Sequence, residues 1–150
     1  MTSKQAVEDF LGQKSLAVVG VSRSGRGFGN AAVRELQANG YRVFPVHPEP
    51  DAVKDFPCFP SLDTLPEPVG GLLIVVPPAQ TEVVVRQTAA AGIRRVWMQQ
   101  GSESRSAIGF CRENGIEAIH GECILMFLAK GPAIHRFHRT LKRLFGRLPR

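Results

Sequence analysis

The sequence predicts an α/β protein built on a doubly wound parallel sheet of about five strands, with a basic amphipathic helix at its C-terminal end. Three observations carry that prediction. Apolar runs of strand length alternate with helical segments of about ten residues, the signature of βαβ units. The first run, Ser15 to Val21, is nearly continuously apolar, as a strand covered on both faces must be. Glycine or proline marks most boundaries.

The elements follow in order. Val7, Phe10 and Leu11 recur at helical spacing after Ser3, a suitable N-cap, and predict a short first helix. The first strand then enters a glycine- and serine-rich loop, Ser22 to Asn30. Ala31 to Asn39 reads as a helix with Ala32, Val33 and Leu36 on one face and Gly40 as its stop. Tyr41 to Val46 is the second strand, closed by His47-Pro48. Glu49 to Pro68 is proline-rich and irregular, with one helical turn at Ser61 to Leu65. Leu72 to Val76 is the third strand, ended by Pro77-Pro78. A helix from Thr81 to Ala91, a strand from Arg95 to Gln99, a helix from Ser102 to Asn114 and a strand from Ile116 to His120 complete the alternation. Right-handed crossovers make the result Rossmann-like. Residues 1–128 are expected to form this domain. Residues 129–150 form a helical tail, packed on the domain or extending from it, with Ile134, Phe137, Leu141, Leu144 and Phe145 on one stripe.

Composition sets the bounds. With 150 residues, 43% hydrophobic and 21% charged, the chain suits one soluble domain with a continuous core. No apolar run reaches the roughly 18 residues of a membrane span. The N-terminal segment has no apolar signal core, so a cytoplasmic location is expected. Three cysteines, Cys58, Cys111 and Cys123, without a CxxC pair make neither a disulfide framework nor a zinc site. The net charge is +6, but seven of the 19 basic residues lie between Lys130 and Arg150, where no acidic residue occurs. The preceding chain therefore balances 12 basic residues against 13 acidic ones. A nucleic-acid or membrane-surface argument would rest on the tail alone. The tail has no tyrosine or tryptophan for base stacking, which argues against nucleic acid. Packing on the domain or on a second subunit is its simpler role.

In an open α/β sheet the ligand crevice lies beyond the carboxyl ends of the strands. Gly20 ends the first strand where backbone approaches a ligand, and Gly25, Gly27 and Gly29 keep the following turn open. Ser22, Ser24 and Asn30 offer donors, Arg23 and Arg26 offer charge, and the next helix presents its N-terminus. This clustering favours a phosphate cradle over a plain crossover loop. It is not the dinucleotide fingerprint, because G-x-G-x-x-G does not occur, and it is not a P-loop. The second strand also ends Val46-His47-Pro48, without the carboxylate that an NAD-binding domain places there. Pro45, Pro48 and Pro77-Pro78 read either as strand terminators or as stiff apolar walls for a flat adenine.

Six segments in order carry a resemblance: Ala17 to Ser22, Tyr41 to Pro48, Pro60 to Val69, Val75 to Pro78, Val96 to Gly101, and Gly121 to Cys123. Together they resemble the small stand-alone CoA-binding proteins, whose fold is that of the N-terminal CoA-binding domain of the succinyl-CoA synthetase α-subunit. The resemblance implies non-catalytic binding of coenzyme A, or a short acyl-CoA, through its 3′-phospho-ADP part. It implies that Gly20, Val21, Ser22 and Arg23 meet the phosphates. Pro45, Val46 and His47 would flank the adenosine, with Val76 and Pro77 opposite, and Gln99 and Cys123 would line the pantetheine path. Many members carry Asn where this chain has His47. A complete acyl-CoA synthetase would need a partner chain, because neither an ATP-grasp domain nor a phosphohistidine domain fits in this length; a partner enzyme or a homodimer is a setting the resemblance allows. An NAD(P)-binding redox protein and a partner-binding module acting through the basic tail are the alternatives.

Other chemistry finds little support. Cys123, before a helix expected at Ile124, would be either a thiol of lowered pKa or, more simply, a small buried apolar residue. His120, His135 and His138 lack the spacing of a zinc site, and no G-x-S-x-G elbow occurs.

Overall fold

The computed structural model describes residues 3–128. Five strands, β1 (Ser15–Val19), β2 (Arg42–Val46), β3 (Gly71–Ile74), β4 (Arg95–Gln99) and β5 (Glu117–Glu122), form one sheet in the order β2-β1-β3-β4-β5. All four neighbouring pairs are parallel. Four helices accompany them: α1 (Lys4–Leu11), α2 (Phe28–Ala38), α3 (Pro78–Ala90) and α4 (Arg105–Glu113). The expected doubly wound architecture is present. The expected tail, 129–150, lies outside the described residues.

The strands are apolar on both faces because each face carries its own core. Leu16, Val18, Leu73, Trp97 and Ile119 point to one side, where they meet Phe10 of α1 and Ala32, Val33 and Leu36 of α2. Ala17, Leu72, Ile74, Val96 and Met98 point to the other, against Val84 and Val85 of α3 and Ala107 and Cys111 of α4. The alternation along each strand is the period of two expected of a pleated backbone. Trp97 is fully buried, lies edge-on to Phe10 at 5.4 Å, and donates its indole N–H to the Glu122 carbonyl at 3.0 Å.

Local signals explain the termini. Ser3 caps α1 by accepting the Ala6 N–H at 3.0 Å, and Ser104 caps α4 by accepting that of Ala107 at 3.1 Å. α3 begins at Pro78, three residues before the expected Thr81, because proline is well placed in a first turn that needs no donor. α2 begins at Phe28, so Gly29 and Asn30 belong to its first turn and not to the loop. β1 and β3 stop two residues short of the expected Val21 and Val76, where their backbones leave the ladder. β5 runs on to Glu122, beyond the expected His120.

The crossover from β2 to β3 is unusual for this architecture. It contains only the 3₁₀ turns Pro50–Ala52 and Leu62–Thr64 in place of a full helix. Phe59 bridges to Val46 at the edge of β2, and Leu62 is the buried side chain that covers the sheet there. No helix among the described residues is long and apolar enough to cross a membrane. No cluster of three or more His, Cys, Asp or Glu side chains among them could hold a metal ion.

Candidate functional site

The site is organised around the C-terminal end of β1. Gly20 has φ +121°, and a Cβ there would run into the Val75 carbonyl of the neighbouring chain segment. A Cβ on Gly29 would likewise run into the Gly20 carbonyl, so the exit of β1 and the first turn of α2 pack backbone against backbone. Gly27, the residue before α2, supplies no side-chain cap.

Asn30 then fixes the loop. Its side chain is completely buried, accepts the Ser22 N–H on Oδ1 at 2.7 Å, and donates from Nδ2 to the Ser22 carbonyl at 3.0 Å. The Ser22 hydroxyl lies 3.2 Å from the same Oδ1 and donates to the Arg26 carbonyl. Ser24 Oγ sits 3.2 Å from Ser22 Oγ and accepts the Arg26 N–H at 3.3 Å. The loop is thus held by its own hydrogen bonds, and Asn30 works as its clamp. Val21 is buried in the core with Phe28 and Ala32, which leaves its backbone as the part facing the loop.

Charge gathers on the outer side of this loop. Ser22, Arg23 and Ser24 share an open cleft of about 700 Å³ with Ala52 and Lys54 of the long crossover. Arg23 Nη1 lies 3.4 Å from Glu49 Oε2, and Arg34 Nη1 lies 3.0 Å from Asp55 Oδ2. Asp55 also leans over Gly25, where a Cβ would come within 2.7 Å of its carboxylate. Arg26 and Lys54 have no ion-pair partner among the described residues. Lys54 was not singled out by sequence reasoning. Its signal was present: it is the one basic residue between His47 and Arg86, in a stretch otherwise rich in acidic residues.

Two further clefts flank Gly20. Val19 and Val46 line an apolar cavity of about 460 Å³ with Pro48, Pro60 and Leu62. It lies where a full crossover helix would have covered the sheet. Pro45 is buried behind it, and its carbonyl accepts the Phe59 N–H at 2.9 Å. On the other side, Val76, Pro77 and Gln99 line a cleft of about 250 Å³ with Val75, Gln100 and Ser102. His47 is turned toward its own chain, since Nδ1 accepts the Glu49 N–H at 2.9 Å. An Asn side-chain oxygen bonds the N–H two residues on in an Asx turn, and His Nδ1 does the same.

Gln99 and Cys123 are a buried pair. Gln99 Oε1 accepts the Ile124 N–H at 3.1 Å, and both side chains are almost entirely inaccessible. The helix expected after Cys123 is a four-residue 3₁₀ turn, Ile124–Phe127. Burial pushes the Cys123 thiol above its ordinary value, more than hydrogen bonding from Gln99 and the Leu125 and Met126 backbone lowers it. Of the two readings of Cys123, the structure fits the small buried residue.

The family model for a CoA binding domain matches residues 14–129. The chain belongs to the CoA-binding domain family. It is 32% identical over 90 residues to the ADP-forming acetate–CoA ligase II of Archaeoglobus fulgidus, and 26% identical over 123 residues to ligase I of that organism. Those matches span 59% and 75% of this chain but only 13% and 18% of the ligases, so the chain corresponds to a small part of each. A conserved hypothetical protein from Pyrococcus furiosus superposes with a TM-score of 0.68 at 32% identity, covering 74% of this chain and 96% of that one. Proteins of this size with this fold therefore also stand alone.

Proposed function

We propose that this CoA-binding-domain protein binds coenzyme A, or a short acyl-CoA, through the 3′-phospho-ADP part and does not itself transform it. The observation that carries the reading is the loop clamped by Asn30, with Arg23 and Lys54 facing one open cleft. A loop with that exit geometry brings backbone close to a polyanion, and the two cations supply the charge. The apolar cavity at Val19, Val46 and Pro48 suits the adenine. The cleft at Val76, Pro77 and Gln99 suits the pantetheine arm as it leaves the pyrophosphate. Pro45 and His47 contribute by shaping the tip of β2, Gly29 by letting α2 approach, and Cys123 by supporting Gln99.

A small carrier, sensor or accessory subunit fits this arrangement. The reaction domains of an acyl-CoA enzyme would then lie on another polypeptide, or a second copy of this chain would complete the working unit. The test is calorimetric titration of the reduced protein with CoA, 3′-dephospho-CoA and NAD. CoA is expected to bind, with affinity falling roughly tenfold without the 3′-phosphate, the loss of about one charge-assisted contact. Replacing Arg23 or Lys54 by Gln should weaken CoA and flatten the salt dependence. Binding of NAD in preference to CoA would overturn the reading and make a redox role the lead.

A further inference from the structure

We propose that Glu49 is a built-in competitor for the phosphate site, a carboxylate that holds Arg23 until a ligand phosphate displaces it. This rests on the CoA reading above and concerns how that site is controlled. Arg23 is the cation of the glycine loop that faces the open cleft, and Glu49 reaches it from the crossover at 3.4 Å. The position of Glu49 is not incidental. His47 Nδ1 accepts its backbone N–H at 2.9 Å, which turns the chain just past the tip of β2 and directs the next side chain back toward the loop. Both partners are about two-thirds exposed, so water and ions reach the pair and a phosphate can exchange with the carboxylate.

A phosphate offers Arg23 more charge and two parallel acceptors, so it outcompetes a lone carboxylate once its own dehydration is met. A ligand with little or no phosphate gains nothing at Arg23 and leaves Glu49 in place. The pair thereby acts as a filter for densely charged ligands. This differs in sign from the role an acidic residue after the second strand plays in NAD-binding domains, where the carboxylate accepts ribose hydroxyls and adds to affinity.

The experiment is a double-mutant cycle over Glu49→Gln and Arg23→Gln, with CoA titrated at low and high salt and inorganic pyrophosphate as a second probe. Both side chains are exposed, and urea unfolding verifies that each variant is folded. Glu49→Gln is expected to tighten CoA and pyrophosphate roughly two- to fivefold at low salt, the scale of an exposed ion pair. The gain should shrink at high salt and vanish in the Arg23→Gln background. Weaker CoA binding by Glu49→Gln would overturn the proposal and make the carboxylate a ligand contact. An equal gain with and without Arg23 would also overturn it, as a plain change of net charge. Wild-type protein that binds neither probe would overturn the CoA reading together with this one.

Discussion

Replacing Asn30 by Ala should loosen the loop at the C-terminal end of β1 and cost more than any other polar substitution in the site. Asn30 makes two bonds to the Ser22 backbone, at 2.7 and 3.0 Å, and a longer approach to its hydroxyl at 3.2 Å. Alanine removes all of them and leaves a partly buried N–H and carbonyl to find new partners. At roughly 1–1.5 kcal/mol for each of the two main bonds, plus the void left by a fully buried amide, the loss is about 2–4 kcal/mol. That is a large share of the roughly 5–15 kcal/mol a domain of this kind possesses. Ser22→Ala is the control: it removes the hydroxyl but keeps both backbone bonds, and should cost less than about 1 kcal/mol. Urea unfolding measures both, and CoA titration follows the site. Asn30→Ala should weaken CoA by roughly tenfold or more, because the backbone proposed to face the phosphates is no longer held. If Asn30→Ala unfolds within about 1 kcal/mol of wild type and binds CoA equally well, the clamp argument is wrong.

Three further outcomes are expected. Gly27 and Gly20 both have positive φ, but only Gly20 lacks room for a Cβ; Gly27→Ala should cost about 1–3 kcal/mol in urea unfolding and Gly20→Ala clearly more, and equal losses would refute the crowding argument. Burial pushes the Cys111 thiol up to about 11, so the folded state keeps its proton where the unfolded chain, near 9.0, has lost it. The stabilisation is present below the unfolded value and is lost as pH rises through that interval, so the Cys111 share of the unfolding free energy should fall by about 2–3 kcal/mol between them, and Cys111→Ala should show a correspondingly shallower decline while the raised Cys123 thiol keeps its own share. The Arg95 guanidinium, 2.6 Å from Asp9, holds that carboxyl below its ordinary value. NMR titration of Arg95→Gln should return Asp9 upward, and an unchanged midpoint would show that the contact does not persist in solution.

The fold was legible because its signals are local. A strand buried on both faces must be apolar throughout, a helix must repeat near four residues, and Ser3, Gly40 and Pro77-Pro78 mark ends whose chemistry is carried by adjacent residues. The glycines of the first loop were legible for the same reason, since Gly20 answers a backbone demand at its own position. The extent of each element was less so. Asn30 looked like a loop donor because nothing local says that α2 begins at Phe28 and turns that side chain inward.

The sequence by itself thus determined a parallel α/β sheet, a glycine-rich turn after its first strand and, through the family pattern, membership among CoA-binding domains. Only the tertiary structure decided which charges meet at that turn. Glu49 reaches Arg23 and Asp55 reaches Arg34 from a crossover that has no helical period to announce its direction. Tertiary packing also decided that Cys123 is sealed beneath the strand ends and that an apolar cavity remains beside Val46 and Leu62. Periodicity reports which face of an element is buried, whereas contacts between distant segments depend on where an irregular chain returns to the sheet.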